Sequence, residues 1–227
     1  MQLIIGNKNY SSWSMRPWVL MKQLGIPFEE RKLRFDFSEG SAFRQEVARH
    51  SPAGKVPVLL DGELAVWDTL AITEYLAEKL PGVRPGVWPD DSSARARARS
   101  LVCEMHSGFG ALRNHCPMNI EASLPEVGAR VWAEQPQVRA DVARIEGAWA
   151  QALAASGGPF LFGAFSAADA FFAPVCSRLA TYALPVSETT RGYMQRNAAA
   201  PGVAAWIAEA RAEQDYLDFE EPYRQHR

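Results

Sequence analysis

The stretch from Val56 to Gly82 constrains this chain most. Val56-Pro57-Val58-Leu59-Leu60 and Glu63-Leu64-Ala65-Val66 are short apolar runs joined by Asp61-Gly62, a pair suited to the positive φ angles of a two-residue hairpin turn. A helix follows at once: Asp68 or Thr69 can cap it, Ile72, Tyr75, Leu76 and Leu80 give it an apolar stripe, and Pro81-Gly82 ends it. Such a hairpin needs more sheet to pack with, and the residues ahead of it supply that sheet. Leu3-Ile4-Ile5 reads as a short buried strand, followed by a helix from about Met15 to Leu24 that Gly25 and Pro27 stop. Glu29 to Phe35 reads as an edge strand; after the loop Asp36 to Gly40, a short helix crosses Phe43 to Arg49. The order is βαβα, then ββα.

Pro81 to Ser93 contains three prolines, two glycines and the pair Asp90-Asp91, a composition suited to an exposed connection. The expected division is therefore 1–82 for the first domain, 83–92 for the linker and 93–227 for the second domain. Beyond the linker, segments at about 94–114, 123–133, 137–155, 167–182 and 202–214 have helical composition and no strand pattern. No internal repeat interrupts them. The expected fold class is an α/β thioredoxin-like N-terminal domain followed by an all-α helical-bundle C-terminal domain.

Composition narrows the function. With 227 residues the chain can bury a core without staples, and a net charge of -2 gives no basic field for nucleic acid or an anionic membrane. No run of about 18 apolar residues is present; the richest stretch, Ala170 to Cys176, contains Pro174. The first residues lack a signal-peptide pattern, so the cytoplasm is expected. Cys103, Cys116 and Cys176 have no paired spacing and read as free thiols in or near the core. Cys103 and His106 lie three apart, but no further ligand spacing makes a metal site, and core packing explains them. Arg95, Arg97 and Arg99 spread around a helix and form no basic stripe. A small-molecule ligand is the expected partner.

In a thioredoxin-like order the working group sits where the first strand hands over to the first helix, here Tyr10-Ser11-Ser12-Trp13-Ser14. Ser11 and Ser14 have Cys-x-x-Cys spacing but cannot exchange disulfides. Their hydroxyls can instead donate to a thiolate carried by another molecule, at the positive end of a helix. Lowering a thiol pKa from about 8.5 by two units takes roughly 2.7 kcal/mol. A hydrogen bond to a charged group supplies about 1.5–3 kcal/mol and a helix terminus roughly 0.3–1 more. One serine is enough. Plain helix capping by Ser11 or Ser12 fits the same local sequence. Pro57 at the start of a strand suggests a cis Val56-Pro57 bond that leaves the Val56 backbone free for an extended ligand, although an ordinary trans proline on an edge strand fits the dipeptide too. Asp68-Thr69, beside helix-terminal N–H groups, can receive a zwitterionic amino-acid end, or simply cap the helix.

Tyr10-Ser11-Ser12-Trp13-Ser14-Met15-Arg16-Pro17-Trp18, Lys55-Val56-Pro57-Val58-Leu59 and Trp67-Asp68-Thr69-Leu70-Ala71-Ile72 together resemble the glutathione-binding half of the cytosolic glutathione S-transferase superfamily. Within it, Ser-Ser-x-Ser followed by Arg is most similar to the serine-type enzymes near the zeta class, which includes maleylacetoacetate isomerases. Phe165-Ser166-Ala167-Ala168-Asp169-Ala170 resembles the family's capping box before its buried helix, a structural element. The resemblance implies that Ser11, or alternatively Ser12, stabilises the glutathione thiolate. It further implies that Val56 pairs with the cysteinyl backbone, Asp68 with Thr69 grips the γ-glutamyl end, and Lys55 meets the glycyl carboxylate, with His50 a further polar contact or a surface residue. Glutathione would be the cosubstrate, a hydrophobic electrophile the second substrate, and the assembly a homodimer. The reaction would be transfer of glutathione to the electrophile, or glutathione-dependent cis-trans isomerisation, with non-catalytic glutathione binding as the remaining class. Zeta enzymes carry cysteine where this chain has Trp13, which enlarges the apolar wall beside the sulfur. Met105, Phe109, Leu112 and Arg113, at helical spacing on the first helix of the second domain, are expected to wall the electrophile pocket with Trp13, and Arg113 to attract an anionic substrate.

Overall fold

A computed structural model of the chain describes residues 1–83 and 86–227; Arg84 and Pro85 of the expected linker lie outside the described residues. The first part builds β1 (Gln2–Ile5), α1 (Ser12–Gln23), β2 (Glu29–Lys32), α2 (Ala42–Ala48), β3 (Val58–Asp61), β4 (Leu64–Trp67) and α3 (Thr69–Lys79). The sheet order is β2-β1-β3-β4. β1 runs parallel to β2, with Gln2 opposite Glu29, and antiparallel to β3, with Leu3 opposite Leu59. The β3–β4 hairpin turns on Gly62, whose φ of 61° is the left-handed conformation that Asp-Gly favours. This is the thioredoxin-like layer. β3 begins at Val58 rather than Val56 because Pro57 has no N–H for the ladder. β2 stops at Lys32, three residues short of the expected strand, and carries no fully buried residue, as an edge strand can.

The rest is helical: α4 (Ser92–Ser107), α5 (Gly110–His115), α6 (Pro125–Glu134), α7 (Pro136–Ser156), α8 (Ala167–Thr181), α9 (Glu188–Ala199) and α10 (Pro201–Glu213). Two differences from the expected helices matter. The segment 94–114 is not one helix: it breaks at Gly108 and Phe109, where Phe109 takes a left-handed φ of 57°. The cause is a cap. Arg113 reaches back and donates to the Gly108 carbonyl at 2.9 Å and to the Met105 carbonyl, taking acceptors that a continuing helix would use. The second difference is α9, which the expected segments omit. Its sequence is polar and only Thr190, Tyr193 and Asn197 are buried, so the apolar period is missing. Phe160 to Ala164 adds two isolated bridges, a short non-helical feature in this part.

α8 is the buried centre of the second part, and α1 packs against both it and α10. Its capping box is present: the Ser166 N–H donates to Asp169 at 3.0 Å. The same carboxylate accepts from the Leu161 N–H at 3.1 Å and the Tyr193 hydroxyl at 3.0 Å, so the element is structural. A second clamp joins α10 to the sheet. Lys8, almost fully buried, pairs with Glu30 at 2.6 Å and with Glu209, while its ammonium lies 4.7 Å from the Trp18 ring and 5.6 Å from the Trp206 ring. Cys116 and Cys176 are buried as expected, but Cys103 is exposed, on the solvent side of α4. Among the described residues no helix is long and apolar enough to cross a membrane.

Candidate functional site

β1 ends at Ile5, and the loop that follows delivers Ser11 as the N-cap of α1. The Ser11 oxygen accepts from the Ser14 N–H at 3.4 Å, and the two hydroxyls are hydrogen-bonded at 2.7 Å. Ser14 also accepts from the Gly6 N–H at 3.1 Å. Because a hydroxyl proton rotates, Ser14 can donate to Ser11 and leave the Ser11 proton directed elsewhere. Ser12, the first residue of α1, accepts from Arg178 at 3.1 Å, which likewise leaves its own proton to donate. Both serines line a cleft of about 550 Å³.

That cleft gathers the remaining candidates of the first part: Lys55 at its exposed rim, Val56 beside a Val56-Pro57 bond that is cis, and Asp68 with Thr69. Asp68 has a φ of 72°, a left-handed conformation uncommon outside glycine, held by the capping bond that the Leu70 N–H donates to Asp68 Oδ1 at 2.8 Å. His50 does not line the cleft; it pairs with Glu46 at 3.3 Å on the surface of α2. Ser51, which does line it, is buried with a hydroxyl that has no partner among the described residues. An orphaned buried hydroxyl, a carboxylate, two serines at a helix start and a cationic rim suit a short zwitterionic peptide.

The opposite wall corrects the expectation from the second part. Met105, Phe109 and Leu112 do not face the cleft; with Pro174 and Val175 they surround a separate void of about 10 Å³, because the break at Gly108 removes the shared helical stripe. Arg113 does reach the cleft, as does Trp13, which is 37% exposed. Pro117, Met118, Arg178 and Glu220 complete the wall. Burial pushes the Glu220 carboxyl up, and the nearby Arg178 opposes this.

Three guanidinium groups cluster here, and among the described residues none forms an ion pair with a carboxylate. Arg16 is fully buried, with its Nε and one terminal nitrogen unpartnered among the described residues. It lies 3.9 Å beneath the Trp13 ring, and Arg113 lies 5.4 Å from the same ring. Burial, then repulsion from Arg113 and Arg178, holds Arg16 well below the ordinary arginine range. Burial, with Arg113 again adding repulsion, lowers Arg178 to about 10. A guanidinium is not deprotonated in proteins, so Arg113 and Arg178, which line the cleft, make this wall electropositive, with Arg16 buried behind it.

Sequence reasoning missed Arg16, Arg178 and His106. Arg178 stands in the run Phe171 to Ala180, apolar apart from it and Ser177, and Arg16 between Met15 and Pro17, so a lone arginine in a buried helix was the available signal. His106 was read as core packing. It lies instead at the junction of α4 with the cleft, 3.2 Å from Asp68 and edge-on to Trp13. Glu220 comes from the far end of the chain and carries no sequence signal. Among the described residues no group of three or more histidine, cysteine or acidic side chains could hold a metal ion.

Comparison with known proteins places this geometry in context. A family model described as glutathione S-transferase, N-terminal domain matches residues 10–79, and one described as glutathione S-transferase, C-terminal domain matches residues 118–209. A dichloromethane dehalogenase of Methylorubrum extorquens is 39% identical over 70 residues, 30% of this chain and 23% of that protein. A probable maleylacetoacetate isomerase of Vibrio cholerae is 28% identical over 114 residues, 50% of this chain and 52% of that protein. The chain thus matches about half or less of the length of these two relatives. Among solved structures, a Burkholderia glutathione transferase homologue with bound glutathione superposes with a TM-score of 0.68 at 23% identity, covering 94% of this chain and 98% of that one. At that identity the likeness is one of fold.

Proposed function

We propose that this chain, which belongs to the glutathione S-transferase superfamily, is a glutathione transferase whose Ser11 hydroxyl, supported by Ser12, stabilises the glutathione thiolate for attack on an electrophile. The observation that carries the reading is convergence. Ser11, Ser12, Val56, Asp68 and Thr69, far apart in sequence, line one cleft at the N-termini of α1 and α3. Asp68 meets the γ-glutamyl ammonium, Thr69 its carboxylate, Val56 the cysteinyl backbone, and Lys55 the glycyl carboxylate. Once the hydroxyl pair rotates so that Ser14 donates to Ser11, the Ser11 proton is free to donate to the sulfur, and the α1 terminus adds its partial positive charge. Trp13, Arg113 and Met118 then face the electrophile. In transfer, the sulfur forms a bond to the electrophilic carbon as a leaving group departs, or adds to a double bond that takes up a proton.

A second reading is glutathione-dependent cis-trans isomerisation of an unsaturated acid, in which the carbon–sulfur bond forms and then breaks. Arg113 and Arg178, which line the cleft, favour it, because these cations would hold a substrate carboxylate, with buried Arg16 adding positive charge behind them. The proposal extends to a homodimer in the cytoplasm and to domain limits of 1–82 and 93–227. Incubation with neutral and carboxylate-bearing electrophiles, following both thiol consumption and product, tests it. Loss of thiol supports transfer; turnover without loss supports isomerisation; no turnover of either set, with glutathione bound, leaves a binding protein and overturns the enzymatic reading.

A further inference from the structure

Both oxygens of the Asp68 carboxylate are engaged, and by different parts of the molecule. Oδ1 accepts from the Leu70 N–H at 2.8 Å within the first part, while Oδ2 lies 3.2 Å from Nε2 of His106 on α4. The side chain still exposes 44% of its surface, so it is oriented without being enclosed. A carboxylate accepts at about four lone-pair sites, which leaves room for a ligand cation.

The other ring nitrogen fixes the state of His106. Nδ1 lies 3.4 Å from Arg16 Nη1 and 3.4 Å from the Thr69 hydroxyl. Arginine only donates, so Nδ1 accepts from it and the proton resides on Nε2, the nitrogen 3.2 Å from Asp68 Oδ2. The neutral ring is also the form that burial and the nearby Arg16 and Arg113 favour. One imidazole therefore ties together α1 through Arg16, the start of α3 through Asp68 and Thr69, and α4. Trp13 closes the set, with its ring 5.1 Å from His106 and 3.9 Å from the Arg16 guanidinium.

We propose that His106 is a positioning residue for recognition of the γ-glutamyl ammonium: it holds Asp68, through its Nε2–H, in the orientation that the ligand cation needs. The inference rests on the assignment of Asp68 to that ammonium. It makes amino-group recognition an inter-domain property, because the first part alone supplies a carboxylate anchored through one oxygen on a left-handed backbone. It also gives Arg16 a local purpose, since its donated bond sets the tautomer of His106.

Calorimetric binding of glutathione and of its glutaryl-Cys-Gly analogue, which lacks the amino group, tests this in the full-length chain without any turnover. The natural protein is expected to bind glutathione at least tenfold more tightly than the analogue, the share of about one charge-assisted bond. His106→Leu is expected to lose most of that ratio while binding the analogue as the natural protein does. His106→Gln, which offers an N–H donor and a carbonyl acceptor, is expected to restore much of it. His106→Phe, which keeps a ring but has no donor, is expected to lose the ratio as the leucine variant does, and it keeps the test available should that variant misfold. An unchanged ratio in whichever of the leucine and phenylalanine variants folds overturns the role of His106 alone. A natural protein that binds the two ligands equally overturns the assignment of Asp68, and the inference with it.

Discussion

Arg178 donates to the Ser12 hydroxyl at 3.1 Å from the opposite side of the domain junction, and the same guanidinium donates to the Cys116 carbonyl at 2.6 Å. A buried cation thus stands directly behind one of the two serine hydroxyls that line the cleft. Arg178→Met removes both the donor and the charge. The expected result is a rise in the pKa of the bound glutathione thiol and a fall of about tenfold in kcat/KM, the size of one charge-assisted bond. A pH–rate profile of the variant checks this.

Ser14 is buried and faces away from solvent, yet it links the Gly6 N–H to Ser11. Ser14→Ala leaves that N–H without its acceptor and Ser11 without its partner. Stability should fall by about 1–3 kcal/mol in urea unfolding, the cost of an unmet buried donor. The bound thiol pKa should rise by less than in Ser11→Ala, because Ser11 retains its own proton.

His106 makes stability depend on pH. Burial comes first, opposed by Asp68 and reinforced by Arg16 and Arg113, and the net effect lowers its pKa from 6.5. Below that value the unfolded chain binds more protons than the folded one, so stability rises with pH through the window just below 6.5 and is lost as the pH falls. Urea midpoints measured from pH 5 to 7.5 should show this slope, and His106→Gln should flatten it.

Asp169 serves the fold and not the reaction. Asp169→Ala leaves the Leu161 and Ser166 N–H groups and the Tyr193 hydroxyl without their acceptor in a fully buried place. A loss of about 3 kcal/mol or more is expected in urea unfolding, with glutathione affinity unchanged in whatever protein remains folded.

The order of elements was legible because the hairpin carries its own turn chemistry and the helices flanking it their caps: Asp61-Gly62, Asp68 and Ser166 all do what their residue types suggest. The break at Gly108 was not legible, because it depends on Arg113 folding back onto a helix end that only the three-dimensional structure brings within reach. For the same reason Met105, Phe109 and Leu112 read as a single stripe, while Cys103, expected in or near the core, lies on the exposed side of α4. On the site, the order of the motifs and their resemblance to a glutathione-binding half pointed to Ser11, Ser12, Val56, Asp68 and Thr69, and all five line one cleft. The cations beneath it escaped notice, since burying arginine depends on partners from distant helices: Trp13 and Phe171 around Arg16, Ser12 and Cys116 around Arg178. α9 lacked an apolar period and gave no sign of itself at all.

The central claim is that the Ser11 hydroxyl stabilises the thiolate. Ultraviolet titration of bound glutathione in the natural protein and in Ser11→Ala measures it directly. The thiolate absorbance should appear with a pKa roughly two units below the free value of about 8.5 in the natural protein, and move back by about one unit or more in the variant, with glutathione still bound. An identical titration in the two proteins would contradict the assignment and transfer the role to Ser12 and Arg178.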